Sequence, residues 1–504
     1  MFTVFYNYMK RFGLILIIFL FFFSVSAQTQ PFRFAVNFDE FTNLTYQLDC
    51  LTEFNYCNQK DFDALWKQEF LKDETDKQMF ENWRKMRGRY QKSFEIESDI
   101  KFPLDRRATS TNLSDKIQIA GFQAKNLDDY LTRLDLLVVP REREEFAKVI
   151  RHFQPRFSVW WSREAKEKGT NFAKKTEELL NSQLIKENTS KFYNFYQPSL
   201  PTNYLITFDL MFRPNLVKAG SSGYSMENHL VVEFFPNENP KNRIDVVLHE
   251  FCHFLLNSVS PEKHIELQNL FLKSGRATAI PAFSLLDEGL ASAFGNGIIV
   301  RAIVSPEIWK KYFEADMSFY SNPNIDKAGK SLLPLIDDWI SKNGRLNDEN
   351  FVKLYLDNIE KAFGDKLTTP ILYLGQSFLF LDENFDNSLL YNIRQTLHIA
   401  SLYSGRGDLA KTNLNDYFQM PNLSSVFIVQ PKNIDQLAVR KIVSDKDLKE
   451  IKKVFKAEKK VLSSFKRNEN AYTFIVVAEN QETALKLIED LANTPKFFVG
   501  KFAK

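Results

Sequence analysis

At 504 residues the chain is longer than one hydrophobic core usually serves, so two or three domains are expected. Its 66 basic and 63 acidic residues nearly cancel, which argues against a dedicated nucleic-acid or membrane-surface binder. Hydrophobic residues make up 44%, enough for real cores, and exclude a mainly disordered chain.

The first 27 residues read as an export signal. Lys10 and Arg11 precede an apolar run from Phe12 to Phe23, and Ser24-Val25-Ser26-Ala27 offers small residues for cleavage after Ala27. The run falls short of the roughly twenty residues that a membrane span needs. No later segment is long and apolar enough to span. The mature protein is therefore expected outside the cytoplasm, secreted or periplasmic.

Residues 28–200 read as a mainly helical N-terminal domain. Phe62 to Phe70, Leu127 to Leu137, Glu142 to Phe153 and Asn171 to Phe195 interleave charged and apolar positions at helical spacing. Trp160 and Trp161 are expected in its core. Cys50 and Cys57 are close enough in an exported chain to form a disulfide. Two strands should follow, Asn203 to Phe212 and His229 to Phe235, with a turn at Gly220–Tyr224 between them.

The motif His249-Glu250-Phe251-Cys252-His253 comes next. Residues four apart share one helix face, so His249 and His253 can present two imidazole nitrogens to one metal ion. Glu250 lies beside that face, where it could take a proton from a metal-activated water. Ile244, Val247, Leu248, Phe251, Phe254 and Leu255 form an apolar stripe on the other side. Cys252, off the ligand face, reads as a small buried apolar residue.

A catalytic zinc usually has three protein ligands and a water. Leu256 and Val259 stand where a third histidine pattern would need Gly and His, and His264 follows the breaker Pro261. Downstream, the segment Phe283 to Phe294 offers Glu288 among Phe283, Leu285, Leu290 and Phe294. Small residues at Gly289, Ala291 and Ala293 would permit close helix approach.

His249-Glu250-x-x-His253 followed by Asp287-Glu288-Gly289-x-Ala291 resembles the gluzincin metallopeptidases. The resemblance covers Ile244 to Phe294. It implies that Glu288 is the third ligand to one Zn²⁺ ion. In the thermolysin-like branch an Asp four residues after that Glu supports a ligand histidine; here the position is Ser292. Asp245 and Asp287 are the substitutes considered. The resemblance also suggests that the segment His229 to Phe235, or the Gly220 loop beside it, is a sheet edge that pairs with substrate backbone. A downstream Tyr or His often stabilises the oxyanion in such enzymes, and Tyr373, Tyr391, His398 and Tyr403 are candidates.

Residues 300–415 read as helical, anchored by Trp309, Trp339, Phe351 to Phe363 and Thr369 to Phe380. After a break near Pro421 the chain reads as a small α/β unit, 421–504. Its strands are Ser425–Val429, Tyr472–Ala478 and Phe497–Phe502, and its helices Asp445–Lys459 and Glu482–Leu491. The lysines of the first helix read as a solvated face.

The expected fold class is α+β: a mostly helical multi-domain chain with a zincin-like domain over 201–415. The expected function is a secreted zinc-dependent hydrolase, a metallopeptidase acting on peptides or proteins, with Glu250 as general base. The alternatives are a non-catalytic secreted protein with a structural or vestigial metal site, and a zinc hydrolase of a non-peptide amide or ester. No nucleic-acid partner and no membrane span after signal cleavage are expected.

Overall fold

In a computed structural model of the chain, residues 32–52, 57, 59–90, 102–104, 113–217, 222–495 and 500–501 are described. The expected signal segment, 1–27, lies outside the described residues. Among them, no helix is long and apolar enough to cross a membrane. The fold is mixed α+β, mainly helical, with two small mixed sheets.

The first sheet has the order β1-β2-β4-β3. It is built from β1 (Phe32–Asn37), β2 (Tyr204–Phe212), β3 (Gly223–Met226) and β4 (His229–Phe234). β1, β2 and β4 run parallel, while β3 lies antiparallel to β4. The helical reading of residues 28–200 is corrected near its start, where β1 forms. Phe32, Phe34 and Val36 alternate with polar or small residues, and this period of two is what a strand with one buried face requires.

One face of this sheet packs on the motif helix, Ile244–Asn257. Phe32 and Phe34 both meet the ring of Phe251 at 5.3 Å between centroids. All six residues of the apolar stripe are buried. The other face is polar and is covered by N-terminal helices. Tyr46, on the helix Glu40–Cys50, donates to Glu233 of β4 at 2.9 Å. The fully buried Arg213 bridges Asp61 at 3.1 Å and Glu233 at 3.4 Å. Asp61 also accepts the backbone N–H groups of Asn215, Leu216 and Val217. Thus the chain leaving β2 toward β3 is pinned from below by satisfied buried charges.

Cys50 and Cys57 are joined in a disulfide, and Cys252, Trp160 and Trp161 are buried. One continuous apolar cluster runs from Phe32 to Leu372, across the boundary expected at residue 200.

The second sheet has the order β10-β8-β9-β7-β5-β6. Its strands are β5 (Gln376–Asp382), β6 (Ser401–Gly407), β7 (Ser425–Val429), β8 (Val461–Lys466), β9 (Tyr472–Val477) and β10 (Gly500–Lys501). Alternate residues of the central strands face two separate cores. Leu379, Val426 and Phe474 pack beneath the helices Asn387–Thr396 and Gln481–Ala492, while Phe380, Phe427 and Ile475 face the side of Asp445–Glu458. The lysines of Asp445–Glu458 point away from this core and are exposed.

The helical expectation for residues up to 415 fails at β5 and β6. Within Gln376–Asp382 the residues Phe378 to Leu381 are all apolar because the strand is buried on both faces, and a short continuous apolar run has no period that separates strand from helix. The sheet therefore begins upstream of Pro421. Of the expected last strand, only Gly500 and Lys501 lie within the described residues.

Candidate metal centre

The motif helix turns His249, Glu250 and His253 toward a second helical segment that begins at Leu286–Ala291 and continues as a π-helix, Ser292–Ile299. The two approach backbone to backbone at Gly295. A Cβ there would stand 2.7 Å from the His249 nitrogen and 2.8 Å from the Asp245 carbonyl oxygen, so only glycine fits.

This approach brings three side chains together. One ligand atom from each of His249, His253 and Glu288 lies within 4.8 Å of the others. The two Nε2 atoms are 3.0 Å apart, and Glu288 Oε2 is 3.2 Å from His249 Nε2 and 3.5 Å from His253 Nε2.

The groups behind the histidines decide what those Nε2 atoms are. His253 Nδ1 is 2.7 Å from Asp287 Oδ1. His249 Nδ1 is 3.1 Å from Asn296 Oδ1, and the Asn296 amide nitrogen donates to Asp245 Oδ2 at 3.2 Å. The Asp245 carboxylate takes the amide N–H, which orients the Asn296 oxygen toward His249. Both Nδ1 atoms thus face acceptors and carry the hydrogens. Both Nε2 lone pairs then point at each other and at a carboxylate oxygen. Such a cluster of acceptors calls for a cation, and two imidazoles with one carboxylate are a donor set suited to zinc.

The negative charge around these nitrogens favours a cation there, whether a proton or a metal ion. Burial opposes charge on His253, but the Asp287 and Glu288 carboxylates outweigh it and hold its pKa well above the usual histidine range. Burial likewise raises Glu288, yet His253 and His249 outweigh that and keep its carboxyl well below the usual range. Glu250 differs. Burial raises its pKa, the two histidines oppose, Glu288 and Asp287 add to the rise, and the net is upward. A carboxylate with a raised pKa is a better proton acceptor.

No family model, curated protein or solved structure matches the chain. The site is therefore read from its own geometry.

Asp287 touches His253 directly, while Asp245 reaches His249 through Asn296. Ser292 is fully buried and holds neither histidine among the contacts seen. The expected sheet edge is corrected: β4 is paired on both sides, by β2 and by β3, and all six of its residues are buried. The edge strand is β3. Its Gly223 lies against Glu250, where a Cβ would meet Oε1 at 2.8 Å. Part of the Gly220 loop, 218–221, lies outside the described residues.

The aromatic hydroxyl at the cluster belongs to Tyr320. Its ring stacks on His249 at 5.6 Å, and its phenol lies within electrostatic reach of Glu288. The Glu288 charge first, then burial and Glu250, push the phenol well above its ordinary pKa. Of the expected candidates, Tyr373 donates to the Ala277 carbonyl, Tyr391 is 65% exposed, His398 gives its carbonyl to Asn322, and Tyr403 packs on the core of the second sheet. Nothing in the spacing marked Tyr320, which lies in a loop with no motif of its own.

Proposed function

We propose that the chain is a secreted zinc-dependent peptidase of zincin-like type, with His249, His253 and Glu288 as ligands and Glu250 as general base. The observation that carries this reading is the convergence of two imidazole Nε2 atoms and a carboxylate oxygen beside a second, buried acid, Glu250. A zinc ion bound there would polarise a scissile carbonyl and acidify a water.

The remaining roles fall to the chain's own groups. Glu250, held under Gly223, accepts the proton from the attacking water and returns it to the leaving amine. Asp287 and Asn296 keep the histidines in the Nδ1–H tautomer. Tyr320 donates its hydroxyl hydrogen to the substrate oxygen as negative charge develops there. Strand β3 offers an open edge, antiparallel to its neighbour, for pairing with an extended peptide. The Cys50–Cys57 disulfide supports an oxidising compartment.

A purely structural metal site would need no base and usually closes all four positions with protein groups. Glu250 and the three-membered cluster favour catalysis over that alternative. The test is Glu250→Gln. Retained metal with abolished peptide hydrolysis is the expected result; loss of the metal, or unchanged hydrolysis, would remove Glu250 from its role.

A further inference from the structure

The metal cluster adjoins the second sheet through Tyr320. Two residues beyond Tyr320, the Asn322 amide donates to the His398 carbonyl at 3.1 Å. His398, Ile399 and Ala400 form the turn that leads from the helix Asn387–Thr396 into β6. Arg394 folds onto that turn. Its Nε donates to the Ile399 carbonyl and its Nη2 to the Ala400 carbonyl, each at 3.2 Å.

These bonds use one edge of the guanidinium, Nε with Nη2. A guanidinium has five N–H groups, and the Nη1–Nη2 edge remains for a second planar partner. Arg394 is half-buried. Among the described residues it has no carboxylate at ion-pair distance, and both its bonds go to neutral carbonyls. Half withdrawn from water, without a carboxylate partner among the described residues, and on a turn bonded to the segment that carries Tyr320, Arg394 can receive a carboxylate.

We propose that Arg394 determines specificity by binding a substrate carboxylate close to the scissile bond. This rests on the peptidase reading above. The carboxylate is either the C-terminal group of the peptide or an acidic side chain, and both match the bidentate edge.

The test uses the full-length, zinc-loaded Glu250→Gln protein, so that binding is read without turnover. The probes are an acetylated alanine tetrapeptide as free acid, its C-terminal amide, and amides with Glu at each position in turn. Calorimetry should show the free acid, or one of the Glu amides, binding at least about tenfold tighter than the plain amide, as a charge-assisted pair implies. Which probe wins identifies the source of the carboxylate. Adding Arg394→Gln should erase the preference, while Arg394→Lys should keep part of it. The Lys variant still donates to the turn, so its result separates recognition from folding. Equal binding of acid and plain amide, or a preference that survives Arg394→Gln, overturns the assignment and leaves the peptidase reading standing. Failure of every probe to bind, with no peptide turnover by the wild type, overturns both.

Discussion

Nδ1 of His253 lies 2.7 Å from Oδ1 of Asp287, the residue immediately before Glu288. Two consecutive acids on one short helix therefore do two jobs. Glu288 faces both Nε2 atoms, while Asp287 orients the ring that carries one of them. Replacing Asp287 with Ala should lower metal affinity about 10- to 100-fold, the usual cost of losing such a partner. Competition with a chelator measures this. Unchanged affinity would deny Asp287 its orienting role.

Gly223 fixes how closely β3 lies on Glu250. In Gly223→Ala the added carbon would meet Glu250 Oε1 at 2.8 Å and push the carboxylate aside. Turnover should fall about 100-fold, since misplacement of a reacting group by about 1 Å has that effect. Metal content should not change. A fully active Ala variant would show that Glu250 can move without loss.

Tyr320→Phe removes one hydroxyl and keeps the ring on His249. Hydrolysis should slow about 100-fold in kcat with KM little altered, as for loss of a single oxyanion donor. A change confined to KM would make Tyr320 a binding residue instead.

Away from the site, Asp76 gives the fold a measurable acid limb. It accepts from Arg156 at 2.5 and 2.9 Å and from the Lys72 backbone N–H at 2.8 Å, and it faces His152 Nε2 at 2.7 Å. The Arg156 hydrogen bonds, working against burial, hold its carboxyl well below the usual carboxylate range. In the unfolded chain it would protonate near pH 3.9 or so. Its stabilisation is thus complete above that value and is lost as pH falls toward the lower folded value. Asp76→Asn should cost about 1–2 kcal/mol at pH 7, allowing for the partial exposure of Arg156, and less at pH 3. Denaturant midpoints at the two pH values check this. A cost that is equal at both would show that the carboxylate charge is not what matters.

The centre was readable in sequence where it obeys helix periodicity. His249 and His253 share a face by spacing alone, and the apolar stripe behind them is buried as its period implies. Asp287 was readable as a neighbour of Glu288. Asn296 was not, because the π-helix Ser292–Ile299 changes the turn and carries a residue to His249 that α-helical spacing from Glu288 would send elsewhere. Tyr320 was hidden because a loop residue is brought to the site by tertiary packing, which leaves no period. The same holds for strands. Ser425–Val429 stood out between breakers, whereas Gln376–Asp382 merged with the apolar helix preceding it, Pro370–Tyr373. The burial of His229 to Phe234 on both sides follows from pairing with β3, a strand of four residues that is too short to announce itself.

The proposed role of His249, His253 and Glu288 is to hold one catalytic zinc ion. Its most direct test is the metal content of purified full-length protein, wild type beside Glu288→Ala, by elemental mass spectrometry after dialysis. About one zinc per wild-type chain is expected, and far less than one in the variant, given three ligands reduced to two. Wild-type protein that retains no metal, or a variant that keeps its full complement, would contradict it.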